Sequence, residues 1–206
     1  MFSHFFQIFL VRNVASAGWV YILPGPTNVL CVYNWIVFTQ RFDATLNFNR
    51  GWIDYRQGFG NFSVRGNFWL GLETMYQLTN SSAYRLRFLL QAYTSGQWYY
   101  ADYDQITIAS EANKYRWHFG TYTGDAGDAL RYSTNWNLQD MLFSTSDSSN
   151  GYCTTYHFGW WYNNCFYASV TGDYTSHNYC WYSSSQPAGF GDYGKMTASL
   201  MMIRRV

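Results

Sequence analysis

Four cysteines are the residues of this 206-residue protein whose chemistry is easiest to anticipate. No two form a C-x-x-C pair, and no histidine lies at zinc-ligand spacing from them, so the sequence does not favour a structural zinc site. An even cysteine count, with many Tyr, Trp, Gly, Asn and Ser and few Lys, is typical of extracellular proteins that carry disulfides. The four are Cys31, Cys153, Cys165 and Cys180.

Carboxylates that could act in pairs are present, but they are not arranged in a recognisable catalytic motif. A glycosidase needs two carboxyl groups about 5 to 10 Å apart across a cleft, and sequence spacing in loops does not predict such a pair. The sequences G-x-S-x-G and H-E-x-x-H are absent, and no cysteine carries a nucleophile signature. We therefore interpret the acids as surface turn residues and expect no enzyme. The pairs considered are Asp102 with Asp104 and Asp125 with Asp128.

Aromatic residues make up 22% of the sequence and charged residues only 12%, the reverse of a disordered composition. In the C-terminal half we expect most of them, Trp160 and Trp161 included, to pack in the core and loops. The alternative is a binding pocket in which aromatic faces contact sugar C–H groups or small methyl groups, while a few polar groups fix the orientation. The residues concerned are Tyr156, Trp160, Trp161, Tyr162, Phe166, Tyr167, Tyr174, Tyr179 and Trp181.

Charge and length limit the classes of partner. The formal net charge is +1, without a long basic run, so we expect no nucleic-acid partner and no attraction to an anionic membrane. No stretch approaches the roughly 20 apolar residues that span a bilayer. The length predicts one domain with a substantial core.

Hydrophobic periodicity predicts an α+β fold. Between Tyr84 and Leu90 apolar residues alternate with Arg85 and Arg87, as in a half-buried strand. Residues 48, 52, 55 and 59 are aromatic and share one helix face. From 120 to 194 periodicity is weak, which predicts a loop-rich, functional C-terminal half. Further strands are predicted at 18–23, 29–39, 98–103, 105–109 and 115–119, and a second short helix at 72–76.

The N-terminal segment suggests secretion. Residues 1–17 contain a short apolar run followed by Ala15-Ser16-Ala17, a pattern that fits equally a cleaved signal peptide and a misassembled or truncated N-terminus. Two N-x-S/T sequons begin at Asn61 and Asn80, and in a secreted protein they would accept glycans. We assign residues 18–206 to the folded domain.

Several ordered motifs resemble the fibrinogen-related domain family, which includes the C-terminal domains of fibrinogen, ficolins, tachylectins, angiopoietins and tenascins. The resemblance covers nearly all of residues 18–206. It implies one fibrinogen C-terminal-like domain with an antiparallel sheet, short helices and a loop-rich C-terminal half. The matching segments are W-I-V-F-T-Q-R at 35–41, F-x-R-x-W-x-D-Y-x-x-G-F-G-N at 48–61, F-W-L-G at 68–71, G-D-A-L at 127–130, F-S-T at 143–145 and C-x-x-Y-x-x-G-W-W-Y-N-N-C at 153–165.

The resemblance also implies a disulfide and a calcium loop. It pairs Cys153 with Cys165, whereas Cys31 lacks the family's upstream partner and Cys180 stands where the family has no cysteine. Those two are free, paired to each other, or paired between two molecules. Asp147 falls on the first aspartate of the family's calcium loop and Ser149 on the second, in a shortened loop. One carboxylate and a serine are poor calcium ligands, so calcium is a doubtful cofactor.

Lectin members of the family hold an acetyl group on a backbone N–H beside a non-proline cis bond and nearby aromatic rings. In this sequence that bond is Asn164–Cys165. The resemblance thus implies a shallow aromatic pocket formed by Asn164, Cys165, Phe166, Tyr174, His177 and Tyr179.

Two functions follow from this resemblance. The first is recognition of carbohydrate or acetylated ligands, in the manner of the innate-recognition lectins. The second is a protein-binding or structural ectodomain with a degenerate sugar site. Either would be an extracellular binding module, and self-association into an oligomer is compatible with both.

Overall fold

A computed structural model describes residues 18–22, 27–149 and 151–206; the segment 1–17, interpreted above as a signal peptide, lies outside these ranges. The fold is α+β, as predicted, and antiparallel strands dominate it. The strands are β1 (Gly18–Ile22), β2 (Thr27–Val32), β3 (Trp35–Arg41), β4 (Phe59–Gly60), β5 (Phe68–Trp69), β6 (Tyr84–Ala92), β7 (Trp98–Tyr103), β8 (Thr107–Ile108), β9 (Trp117–His118), β10 (Tyr122–Gly124), β11 (Ala168–Ser169), β12 (Cys180–Trp181) and β13 (Met196–Arg205). The α-helices are α1 (Trp52–Gln57) and α2 (Leu72–Ser81), and short 3-10 helices cover Glu111–Asn113, Thr134–Trp136, Tyr152–Tyr156, Ala188–Phe190 and Asp192–Gly194.

The main sheet has the strand order β1-β2-β3-β13-β6-β7-β10, and the short strands β4 and β5 extend it beside β3. The C-terminal strand β13 lies in the middle of this sheet, between β3 and β6. Most of its side chains are buried on both faces, which explains the uninterrupted apolar run at 200–203. The strand β6 shows the predicted alternation of buried and partly exposed residues.

A tight hairpin joins β2 to β3. Val32 pairs with Trp35, and the two residues between them, Tyr33 and Asn34, have φ values of 47° and 67°. Positive φ at both central positions is the geometry of a type I′ turn, whose twist matches that of the flanking strands. The turn divides the predicted apolar stretch 29–39 into two strands.

The core lies between the sheet and the helices and loops that cover it. Tyr55 of α1 is fully buried, and its ring packs edge-on against Trp69 of β5 with centroids 5.3 Å apart. Trp117 of β9 stacks on Trp161 with centroids 4.1 Å apart and ring planes 5° from parallel. Aromatic contacts of this kind, together with the pairing of β10 with β7, connect the loop-rich half to the rest of the domain.

The two cysteines whose pairing the sequence left open are free and buried. Cys31 lies in β2 and Cys180 in β12. Burial raises the pKa of Cys31 to about 11 and that of Cys180 to about 12, so both thiols stay protonated and unreactive at neutral pH. Among the described residues, no helix is both long and apolar enough for a bilayer span.

Candidate ligand-binding site

The C-terminal half is organised around the loop 153–165. Its ends are joined by the Cys153–Cys165 disulfide, with Cα atoms 5.1 Å apart, as the family resemblance predicted. Trp160 and Trp161 anchor the middle of the loop because both side chains are fully buried. Trp161 also donates its indole N–H to the carbonyl oxygen of Tyr115 at 2.8 Å. The loop is thus fixed at its ends by a covalent bond and at its centre by the core.

The loop ends in an unusual backbone conformation. Asn164 and Cys165 have φ values of 46° and 72°, a region that costs about 1–3 kcal/mol for each residue with a side chain. Neighbouring contacts hold it: the amide of Asn163 donates to the carbonyl of Cys165 at 3.0 Å, and its side-chain Nδ2 donates to the carbonyl of Asn137 at 2.8 Å. Strained backbone enforced by its surroundings is common where a protein presents its own polar groups to a ligand.

Four partly exposed aromatic side chains gather beside this backbone, and we call them the aromatic platform. Tyr132 stacks on Tyr167 with ring centroids 4.2 Å apart, and Tyr182 lies 5.4 Å from Tyr132 and 5.5 Å from Tyr167. Trp136 packs edge-on against Tyr167 at 5.1 Å. The platform therefore consists of Tyr132, Trp136, Tyr167 and Tyr182.

A hydrogen bond attaches the platform to the strained backbone. The indole N–H of Trp136 donates to the carbonyl oxygen of Asn164 at 2.9 Å. On the next residues, the amide N–H groups of Cys165 and Phe166 donate to no acceptor within residues 27–149 and 153–206. Hydrogen-bond donors and aromatic rings thus adjoin at one partly exposed place, which is the composition expected of a small polar ligand's site.

Strand pairing explains part of this arrangement. In the short hairpin β11–β12, Ala168 pairs with Trp181, and the amide of Tyr182 donates to the carbonyl of Tyr167 at 2.8 Å. The residues just outside the paired positions, Tyr167 and Tyr182, are thereby brought side by side. Tyr132 and Trp136 arrive from the segment around the 3-10 helix Thr134–Trp136.

The six pocket residues named by the resemblance do not all lie together in the structure. Asn164 and Cys165 lie at the platform, but Phe166 packs against Tyr156 and Phe158 at 5.3 and 5.2 Å. His177 is exposed and lies beside Tyr193, with ring centroids 4.9 Å apart.

The two remaining predicted residues, Tyr174 and Tyr179, stack on each other at 5.0 Å. Tyr179 is fully buried and donates its hydroxyl to Ser199 Oγ at 2.6 Å, so its side chain packs inside the domain and offers no surface to a ligand. The pocket therefore differs from the one expected: the backbone at Asn164 and Cys165 is accompanied by the platform instead of by Tyr179.

The loop compared above with a calcium site is used internally. Both carboxylate oxygens of Asp147 accept from the amide of Trp52, at 2.9 and 3.1 Å, and one also accepts from Thr145 Oγ1 at 2.6 Å. Asp147 therefore caps helix α1 from a distant part of the sequence. The hydroxyl of Ser149 bonds with Gly151 and Thr154. Among the described residues no group of three or more His, Cys, Asp or Glu could hold a metal, and this donor set does not fit calcium.

Comparison with known proteins agrees with this fold. Residues 30–193 match the family model described as the C-terminal globular domain of the fibrinogen beta and gamma chains. This protein belongs to that family. Domains of this family are generally binding modules without enzymatic activity.

Relatives and solved structures extend the match. Human fibroleukin is 41% identical over 151 residues, covering 70% of this protein and 34% of fibroleukin, so the sequence spans about a third of that relative. Fibrinogen-like protein A of Apostichopus parvimensis is 36% identical, covering 77% of this protein and 59% of that one. The fibrinogen-like globe domain of human ANGPTL6 is 29% identical with a TM-score of 0.78, covering 93% of this protein and 90% of that domain. A lamprey fibrin D-dimer complexed with the peptide Gly-His-Arg-Pro-amide is 28% identical with a TM-score of 0.79, covering 91% of this protein and 69% of the matched fibrin polypeptide.

Proposed function

We propose that this protein is an extracellular binding module that recognises an acetylated sugar at the aromatic platform and the adjoining Asn164–Cys165 backbone. The observation that carries the proposal is the hydrogen bond from Trp136 to the Asn164 carbonyl, which joins an aromatic surface to backbone donors. The disulfide and the family membership support an extracellular location.

The chemistry of an acetamido group fits these components. Its carbonyl oxygen can accept from the amide N–H of Cys165 or Phe166, and its methyl group and the sugar C–H face can lie on the rings of Tyr167 and Trp136. Since the carbonyl of Asn164 already accepts from Trp136, the ligand would meet donors rather than acceptors on this backbone. Selectivity for the acetylated over the free amino sugar follows, because a protonated amine brings only donors.

A second candidate is recognition of a peptide at the same platform. It is favoured by the similarity to the lamprey fibrin D-dimer, whose structure contains a bound tetrapeptide amide. In that case the backbone donors would bind a peptide carbonyl and the platform an apolar or proline side chain. An acetylated sugar and a peptide would then compete for one surface.

Retention on N-acetylated agarose, with elution by free N-acetylglucosamine, tests the first candidate. Tyr167→Ala removes the central ring of the platform and should weaken retention by about 5- to 30-fold, the range of an interface residue worth 1–2 kcal/mol. Trp136→Phe keeps a ring but removes the donor to Asn164, and it should weaken retention less.

Tyr93→Ala is the matched control, because Tyr93 is a tyrosine that is 53% exposed and does not belong to the platform. It should be retained like the wild type. Retention that persists in Tyr167→Ala, or that is lost equally in Tyr93→Ala, would exclude the platform as the site. Displacement by Gly-His-Arg-Pro-amide but not by N-acetylglucosamine would favour the peptide candidate.

A further inference from the structure

A separate cavity of about 440 Å³ lies on another part of the loop-rich half. Three segments line it: residues 41–49, which begin at the end of β3, residues 156–158 of the disulfide loop, and residues 171–175. No platform residue contributes to it, so the cavity is separate from the platform. Its volume lies within the usual range of small-ligand pockets, about 300–1,000 Å³. Its walls include Arg41, Phe48, Tyr156, Phe158, Asp173 and Tyr174.

The unusual feature of this cavity is Arg41, whose charge is buried without a counter-ion. The residue is only 3% exposed. One nitrogen, Nη1, donates to the carbonyl oxygen of Gly172, but Nε is buried and has no acceptor among the described residues. The guanidinium forms no ion pair with any described carboxylate. A buried charge without a partner is costly, and burial accordingly lowers the pKa of Arg41.

Aromatic rings cover the faces of this guanidinium and leave its edges for hydrogen bonding. Its central carbon lies 4.3 Å from the Phe48 ring centroid and 4.8 Å from that of Tyr179. Such stacking uses the flat faces, while the N–H groups point outward in the guanidinium plane. The acids that influence Arg41 electrostatically, Asp43 and Asp173, are exposed, and each accepts hydrogen bonds from a threonine two residues further on.

Another arginine of the same protein shows how the N–H groups along a guanidinium edge find acceptors. Arg87 donates from Nε and Nη2 to the two carboxylate oxygens of Asp102, at 2.7 and 2.8 Å. This two-bond geometry is the preferred way for arginine to bind a planar carboxylate. In Arg41 the corresponding Nε has no acceptor in the described part of the sequence.

We propose that this cavity is a second binding site, in which Arg41 holds the carboxylate group of a sugar-sized ligand. A single arginine can offset one negative charge on a ligand. Asp173 on the cavity wall repels a second negative charge, which disfavours doubly charged ligands such as phosphate at neutral pH. The aromatic wall formed by Phe48, Tyr156 and Tyr174 suits the apolar face of a ring that bears the carboxylate. This site is independent of the acetyl-group site proposed above.

Glucuronate is the probe, and glucose, which has a similar ring but no carboxylate, is its neutral counterpart. In a titration followed by amide NMR, glucuronate should shift the signals of Gly172 and Tyr174 saturably, and glucose should not. Inorganic phosphate at the same concentration should shift them less than glucuronate does. N-acetylglucosamine, in contrast, should shift platform residues, so failure of one site can be told from failure of the other.

Two variants test the role of charge. Asp173→Asn retains the oxygen that accepts from Thr175, so the fold should be kept, and the affinity for glucuronate should rise about 2- to 5-fold because a nearby like charge is lost. Asp125→Asn is its control: it makes the same charge change and keeps the acceptor for the amide of Tyr100. Tyr100 lies on β7, which is three strands, or about 14 Å, from the strand β3 that carries Arg41. Asp125→Asn should therefore leave the affinity for glucuronate unchanged.

Arg41→Met removes the guanidinium and keeps an apolar stem of similar length, and it should weaken glucuronate binding at least 10-fold. If this variant does not fold, the comparison of Asp173→Asn with Asp125→Asn decides the proposal. No saturable shift at Gly172 and Tyr174, equal shifts with glucose, or equal affinities in the two aspartate variants would each overturn it.

Discussion

Removal of the Cys153–Cys165 disulfide should lower stability by a predictable amount. The bond joins cysteines 12 residues apart, and the loop-entropy relation for a closed loop of that size gives about 3 kcal/mol at 25 °C. For a domain of about 200 residues, 1 kcal/mol corresponds to about 2–4 °C in melting temperature. The double variant Cys153→Ser/Cys165→Ser should therefore melt about 6–12 °C below the wild type.

The same variant should also lose ligand binding. Asn164 and Cys165 adopt positive φ values next to the disulfide, and without the bond the loop end gains freedom to relax to less strained conformations. Because Trp136 bonds to the carbonyl of Asn164, relaxation would separate the backbone donors from the platform. Retention on N-acetylated agarose should fall even at temperatures where the variant remains folded.

Circular dichroism melting of wild type and variant, with and without dithiothreitol, measures the effect. The reductant should destabilise the wild type by a similar amount and leave the variant unchanged, because Cys31 and Cys180 are free. Denatured wild type should expose two reactive thiols without reductant and four with it. Equal melting temperatures for wild type and variant, or a further shift when the variant is reduced, would refute this reasoning.

Three other predictions follow from the loop at Asp147 and from the sequons. Hydrogen bonds from Thr145 and the Trp52 amide hold the pKa of Asp147 below its usual value, so its contribution to stability is full above about pH 4 and is lost as pH falls through the lowered pKa. Asp147→Asn should thus lower the free energy of unfolding by at most about 1 kcal/mol at pH 7, since the carboxylate is exposed. Urea denaturation measures this difference, and the unfolding free energies of wild type and variant should converge in acid. Millimolar calcium should leave the melting temperature unchanged, and a rise of several degrees would show that the ligand count at Asp147 is wrong. Asn61 and Asn80 are both exposed, but Asn80 Nδ2 donates to two carbonyls at 2.8 and 2.6 Å. Mass spectrometry of protein from a glycosylating host should therefore find a glycan at Asn61 and not at Asn80, and a glycan at Asn80 would contradict this.

Most regular elements could be predicted because their periodicity is local. The alternation at 84–90 indicated β6, and the aromatic spacing around Tyr55 indicated α1. The central strand β13 was missed because it is buried on both faces and so shows no alternation. The pairs β4–β5 and β11–β12 were missed because two residues are too few to show a period, whereas the equally short β8 and β9 lie inside longer alternating stretches that were predicted as strands.

The site could be predicted only where a contiguous stretch of sequence forms it. Asn164 and Cys165 were found from such a motif, whereas Tyr132 and Trp136 lie about 30 residues away and approach only through tertiary packing. The one local signal for Tyr182 is its place after the buried Trp181, since neighbours on a strand point to opposite faces. Arg41 was recognised as part of a family motif, but only the structure shows that its charge lacks a partner.

An amide NMR titration with N-acetylglucosamine, compared with glucosamine, tests the central claim most directly. Binding at the platform predicts saturable shifts of the Cys165 and Phe166 amides and of the Trp136 indole with the acetylated sugar, and none of these with the free amine. Shifts confined to other residues, or equal shifts with both sugars, would contradict the proposal that this backbone and these rings hold an acetyl group.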